Sequence, residues 1–185
     1  MMMKVTQVAL LIAGGLAIAG CQFGTPKTAT PVKRPPAADY AQALPPSSPP
    51  ANLKAICYNE ADLGTIRGRM LQQQFSVAAL QCQTPSGGRA FEPLYSSFLS
   101  KFSGELSTNA RALTDVARRK RLNVDVLVTE FANRTAQRPP VDKEYCARNL
   151  RALEWALDPK VSSFSQIPPP YDLGPEMNIH PCAAP

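Results

Sequence analysis

The sequence reads as an all-α protein, a small disulfide-braced bundle of four to five helices carried behind a disordered, proline-rich tether. Three observations lead there. Between residues 62 and 157, apolar side chains recur at spacings of three and four, the pattern of helices that each bury one face. Proline and glycine interrupt that pattern at residues 84–88, at Ser103-Gly104 and at Pro139-Pro140, which cuts it into pieces of ordinary helix length. The one run with the β-branched content of a strand, Val124-Asp125-Val126-Leu127-Val128, has no evident second strand to pair with. At 185 residues the chain has room for one domain with a real core, and not for two comfortable ones.

Residues 1–20 have a positive start at Lys4, an apolar segment over 5–18 and small residues at the end. That segment is shorter than the roughly 18 to 20 residues that cross a bilayer, and its flanks are those of an export signal. It ends in Leu16-Ala17-Ile18-Ala19-Gly20-Cys21, with aliphatic Ile18 three places before Cys21. This stretch resembles the lipobox of bacterial lipoproteins. The resemblance implies that the Cys21 thiol takes a diacylglycerol, that a peptidase cuts after Gly20, and that the new amino group receives a third acyl chain. Each buried CH₂ contributes about 0.8 kcal/mol, so three chains hold a protein on its membrane effectively for good. Gln22 rather than Asp after the cysteine implies the outer membrane, with the protein facing the periplasm.

Residues 21–52 form the tether, with Pro26, Pro31, Pro35, Pro36, Pro45, Pro46, Pro49 and Pro50. Proline removes backbone donors and favours extended conformations, so this stretch reads as a disordered spacer that reaches roughly 90 Å at about 3.1 Å per residue. Lys27, Lys33 and Arg34 can rest against anionic headgroups.

With Cys21 set aside for lipid, Cys57, Cys82, Cys146 and Cys182 remain, an even number that in an oxidising compartment predicts two disulfides. Four cysteines allow three pairings. Cys82 with Cys146 is preferred because both lie on predicted helices, which leaves Cys57 and Cys182 to tie the ends together. A metal site using His180 beside Cys182 is the alternative. A lone histidine and the absence of CxxC or HxxxH spacing argue against it, so no metal and no cofactor are expected.

The helical domain is read over 53–160. Its central helix spans 62–81, with Leu63, Ile66, Met70, Val77 and Leu80 on one stripe and Leu71, Phe75, Ala78 and Cys82 on the next. Gly64 and Gly68, four apart, allow another backbone to approach closely. A second helix starts near Glu92-Pro93, where proline suits a first turn, and presents Leu94, Tyr95, Phe98, Leu99 and Phe102. Beyond Ser103-Gly104 a third helix carries Leu106, Ala110, Leu113 and Ala117 as far as a basic run. Asn123 is a good N-cap for a fourth helix burying Val124, Leu127, Val128, Phe131 and Thr135. The fifth is read over 142–157, with Cys146, Leu150, Leu153 and Leu157 inward and Trp155 off that stripe, against the tail. Residues 161–185, proline-rich again, read as an irregular tail laid over the helices and pinned by Cys182. The pattern over 70–157 resembles small helical bacterial envelope proteins, which implies a fold and no activity.

The chain holds 20 basic and 14 acidic side chains. Arg118, Arg119, Lys120 and Arg121, flanked by Arg111 and Arg134, make a possible anion-binding patch. Outside a cell its partners are phosphate-bearing lipid or glycan, cell-wall carboxylates or an acidic protein face, and not nucleic acid. The plainer role is a helix end whose cations complement the C-terminal dipole. No catalytic residues are assigned. Ser97 and Lys101 are four apart, not three, and the single histidine, His180, lies in the tail, which removes most imidazole schemes. The sequence therefore predicts a non-enzymatic scaffold or interaction module in the envelope, bound to its membrane by lipid and to an envelope protein or cell-wall partner, its oligomeric state left open. The alternative is a cell-wall peptidoglycan hydrolase, or an activator of one, drawing its acid from Glu92, Glu105 or Glu130.

Overall fold

The computed structural model describes Tyr40 and residues 53–183; the lipobox, its cleavage position Gly20, Cys21 and the tether apart from Tyr40 lie outside the described residues. The chain runs β1 (Ile56–Tyr58), α1 (Glu60–Gln81), α2 (Glu92–Lys101), α3 (Ser103–Lys120), α4 (Val124–Ala136), α5 (Tyr145–Ala156), two 3₁₀ turns at Phe164–Gln166 and Pro175–Met177, and β2 (Ile179–Pro181). The protein is thus all-α in its bulk, with five helices, within the four to five that the apolar periodicity predicts.

α1 is the central element. Asn59 Oδ1 accepts the Asp62 N–H at 2.8 Å and starts it, while Glu60 and Asp62 place negative charge at the positive end of the helix dipole. α3 and α4 pack most extensively along α1, with α2 and α5 on its remaining sides. The interior is aromatic. Phe75 and Phe98 meet edge to face at 5.0 Å between ring centroids, and Phe102 and Phe164 lie 5.4 Å and 5.9 Å from Phe98. Edge-to-face and tilted pairs add to the area they bury.

Helix ends fall where the local chemistry puts them. The break between α2 and α3 is the buried Phe102, whose φ of −109° and ψ of 18° turn the chain. α3 ends with Arg121 in the left-handed region at φ 55°, its N–H closing back on Ala117 and Arg118 carbonyls. Asn123 then caps α4 by accepting from Asp125 and Val126 N–H, so the β-branched run of α4 is helical.

The first and last elements meet. β1 and β2 form a two-stranded parallel pair with Ile56 opposite Ile179 and Cys57 opposite His180, a pairing the sequence did not suggest because each strand has only three residues. Disulfides join Cys57 to Cys182 and Cys82 to Cys146, the expected pairing. The tail is part of the core: Val161, Phe164, Ile167, Tyr171, Leu173, Met177 and Ile179 belong to the same buried cluster as α1. So does Tyr40, 2% exposed, from within the stretch read as tether.

Four expectations change. Leu80 is 54% exposed: it points away from the side of the last turn of α1 on which Ala79 and Cys82 are buried. α5 begins at Tyr145, after an Asp142 that hydrogen-bonds the Glu144 N–H. Its inward face is Tyr145, Arg148, Asn149, Ala152, Leu153 and Ala156, so Cys146 is exposed and Leu150 and Leu157 are half-buried. The face is rotated because two polar side chains with buried partners occupy core positions. Arg134 is buried and pairs with Glu176 and Glu130, so it does not flank a basic surface. Trp155 is half-buried against the core. Among the described residues, no helix is long and apolar enough to cross a membrane.

Candidate functional site

α1 and α3 lie side by side with small residues turned to the same surface. Gly64 and Gly68 on α1, and Gly104, Thr108 and Ala112 on α3, recur every fourth residue, the spacing that keeps side chains on one helix face. Together they line a groove of about 650 Å³. Ile167, Pro168 and Pro169 of the tail form one wall, and Arg67 and Glu105 carry the charge on its lining.

The groove is built by specific contacts. At Gly68 an added Cβ would stand 2.7 Å from Asn109 Nδ2 and 2.8 Å from Phe164 Cε1, whereas at Gly64 and Gly104 nothing lies within 4 Å. The close approach foreseen for the glycine pair therefore occurs at Gly68, and Gly64 is open groove floor. Asn109 Nδ2 donates to the Thr65 carbonyl at 2.9 Å and ties α3 to α1. Its buried Oδ1 accepts no hydrogen bond among the described residues. Glu105 Oε2 accepts from Ser163 Oγ and from the Phe164 N–H, both at 3.0 Å, which fixes the tail wall.

That contact settles the structural work of one of the three carboxylates considered as acids. Glu92 lies 4.0 Å from Arg89, and Glu130 lies 3.4 Å from Arg134 Nε. The three stand on α2, α3 and α4, each engaged with its own neighbour.

The basic end of α3 is likewise engaged. Arg118 pairs with Asp115, Arg119 Nη2 lies 2.6 Å from Asp62 Oδ1, and Lys120 Nζ donates to the Cys57 carbonyl at 2.9 Å while standing 5.2 Å from the Tyr58 ring centroid. Arg119 and Lys120 staple α3 to the start of α1 and to β1, while the Arg118 pair stays within α3. Arg121 is the exposed left-handed cap.

A buried polar network, unread from sequence, lies between α5 and the tail. Asp142 Oδ2 accepts from Arg148 Nε at 2.9 Å and from the Tyr171 hydroxyl at 2.8 Å. Burial alone would raise the Asp142 carboxyl, but the hydrogen bonds from Arg148, Tyr171 and the Glu144 N–H, with the Arg148 charge, outweigh it and hold the group below its usual range. Burial opposes the charge on Arg148 too, and Asp142 reverses that, so the guanidinium is held more firmly protonated. Gln74 of α1 brackets the Tyr171 backbone, donating to its carbonyl at 2.8 Å and accepting its N–H at 3.0 Å. The only advance signal was the density of polar residues over 138–149, where the apolar stripe is broken.

No group of three or more His, Cys, Asp and Glu side chains that could hold a metal ion occurs among the described residues. His180 sits on β2 close to Cys182, whose sulfur is bonded to Cys57 and so offers no thiolate. Comparison of the chain with protein-family models, with curated proteins and with solved structures finds no match in any of the three.

Proposed function

We propose that this chain is a lipoprotein of the bacterial outer membrane, fixed by acylated Cys21 and facing the periplasm, whose helical domain is a non-catalytic module that grips a helix of an envelope protein partner in the α1–α3 groove. The groove carries the reading. Open Gly64 on α1, facing Gly104, Thr108 and Ala112 on α3, gives a floor of residues no larger than threonine that lets a third helix come closer than the usual 8–10 Å between axes. An occupant there covers apolar tail residues that water now reaches. The two disulfides support an oxidising compartment. The non-catalytic reading is supported by the engagement of Glu92, Glu105 and Glu130 with their own neighbours.

The test is photo-crosslinking in intact cells from the exposed groove position Thr108, with Gly64→Leu as the blocking variant. The expected result is one reproducible crosslinked protein. It is lost in Gly64→Leu, whose added side chain enters open groove, and diminished in Cys21→Ser, which leaves the membrane. A crosslink that survives Gly64→Leu, or none from Thr108 in a membrane-bound chain, ends the groove reading.

A further inference from the structure

We infer that the surface around Arg148 is a binding site for a chain segment bearing an aromatic side chain, and that the chain's own Tyr40 occupies it as a strap. Tyr40 is 2% exposed and packed in the main hydrophobic cluster. Its carbonyl accepts a hydrogen bond from Arg148 Nη1 at 2.8 Å. The donor is fixed by groups other than Tyr40. Arg148 Nε is held by Asp142, and its guanidinium carbon lies 5.7 Å from the Tyr171 ring centroid. Asp142 is in turn fixed by the Tyr171 hydroxyl and the Glu144 N–H. A guanidinium held this way keeps one edge for a main-chain carbonyl, and a donor oriented beforehand loses little freedom on binding.

The site recognises the ring and not the phenol. The Tyr40 hydroxyl is buried with no hydrogen-bond partner among the described residues, so phenylalanine fits the same place. Pro35, Pro36, Pro45 and Pro46 on either side narrow the conformations open to the undocked chain, which lowers the entropy lost on docking.

Chymotrypsin, which cuts after tyrosine and phenylalanine, tests the inference on the full chain under native, oxidising conditions. The Tyr40–Ala41 bond is expected to be cut about 100-fold more slowly than in the same chain unfolded in denaturant. Tyr40→Phe should keep that protection. Arg148→Met should lose it while the bonds after buried Phe98 and Phe131 stay intact. Wild-type cleavage at the unfolded rate, loss of protection in Tyr40→Phe, or protection that persists in a folded Arg148→Met chain overturns the inference. Should Arg148→Met also expose Phe98 and Phe131, the wild-type and Tyr40→Phe rates decide.

Discussion

Gly64 and Gly68 lie one turn apart on α1, and a single methyl group has opposite consequences at the two. A helix-interior glycine costs about 0.5–1 kcal/mol relative to alanine, through the backbone freedom it gives up on folding. At Gly64 nothing lies within 4 Å of the new Cβ, so Gly64→Ala should recover that amount. At Gly68 the new atom would meet Asn109 Nδ2 at 2.7 Å and Phe164 Cε1 at 2.8 Å, both inside contact distance. Relief would separate α3 and the tail from α1, and Gly68→Ala should cost about 1–3 kcal/mol net, as overpacking does. Urea denaturation of the two variants checks the pair, and equal signs would contradict the packing described. The sequence showed that the pair invites close approach. It could not show that only one member receives it, because the approaching groups, Asn109 and Phe164, come from 41 and 96 residues away along the chain.

At the scale of elements, the question is what holds a proline-rich tail to a helical bundle. The 3₁₀ turn Pro175–Met177 supplies Glu176, whose carboxylate is buried between Arg138 and Arg134, the latter at 3.4 Å. Arg138 also stacks over the Tyr171 ring at 5.1 Å. Removing one member of a buried ionic cluster leaves charge behind without its counter-charge and typically costs about 3–5 kcal/mol. Glu176→Ala should therefore destabilise by about that amount, as measured by chemical denaturation, with near-ultraviolet dichroism reporting the loosened tyrosines. A cost under about 1 kcal/mol, the range of exposed pairs, would show that Glu176 does not hold the tail. The five helices were legible because capping, breakers and apolar spacing are local signals, as at Asn123 and Pro139-Pro140. The tail's grip was not legible. It depends on Arg134, Arg138 and Arg148 occupying buried positions, and a long charged side chain is assigned to solvent until its partner is known. The groove was half legible, through the glycines of α1, while the matching Gly104, Thr108 and Ala112 of α3 form a pattern only once the two helices are seen to be neighbours.

Across the whole molecule, the N-terminal strap, α5 and the tail converge on buried tyrosines, which makes the fold sensitive to alkali in a definite sense. Burial pushes the Tyr40 and Tyr145 phenols up from their ordinary value, and Tyr171 is raised by burial and further by the hydrogen bond it gives to Asp142. Tyr145 and Tyr171 stack at 6.0 Å, so an ionised ring in either place would put charge inside the core. An unfolded tyrosine titrates near 10. Because the native state binds these protons more tightly, their contribution to stability is intact below about pH 10 and falls as the pH rises above it. The disulfides still link β1 to the residue after β2 and the C-cap of α1 to α5, so the chain should refold when the pH is returned promptly. The measurement is phenolate absorbance and far-ultraviolet dichroism on the same samples across the alkaline range. The phenolate signal of the buried rings is expected to rise only together with the loss of helix. Complete ionisation with the helices intact would mean that water already reaches Tyr40, Tyr145 and Tyr171, and that the strap, α5 and the tail do not close over a common core.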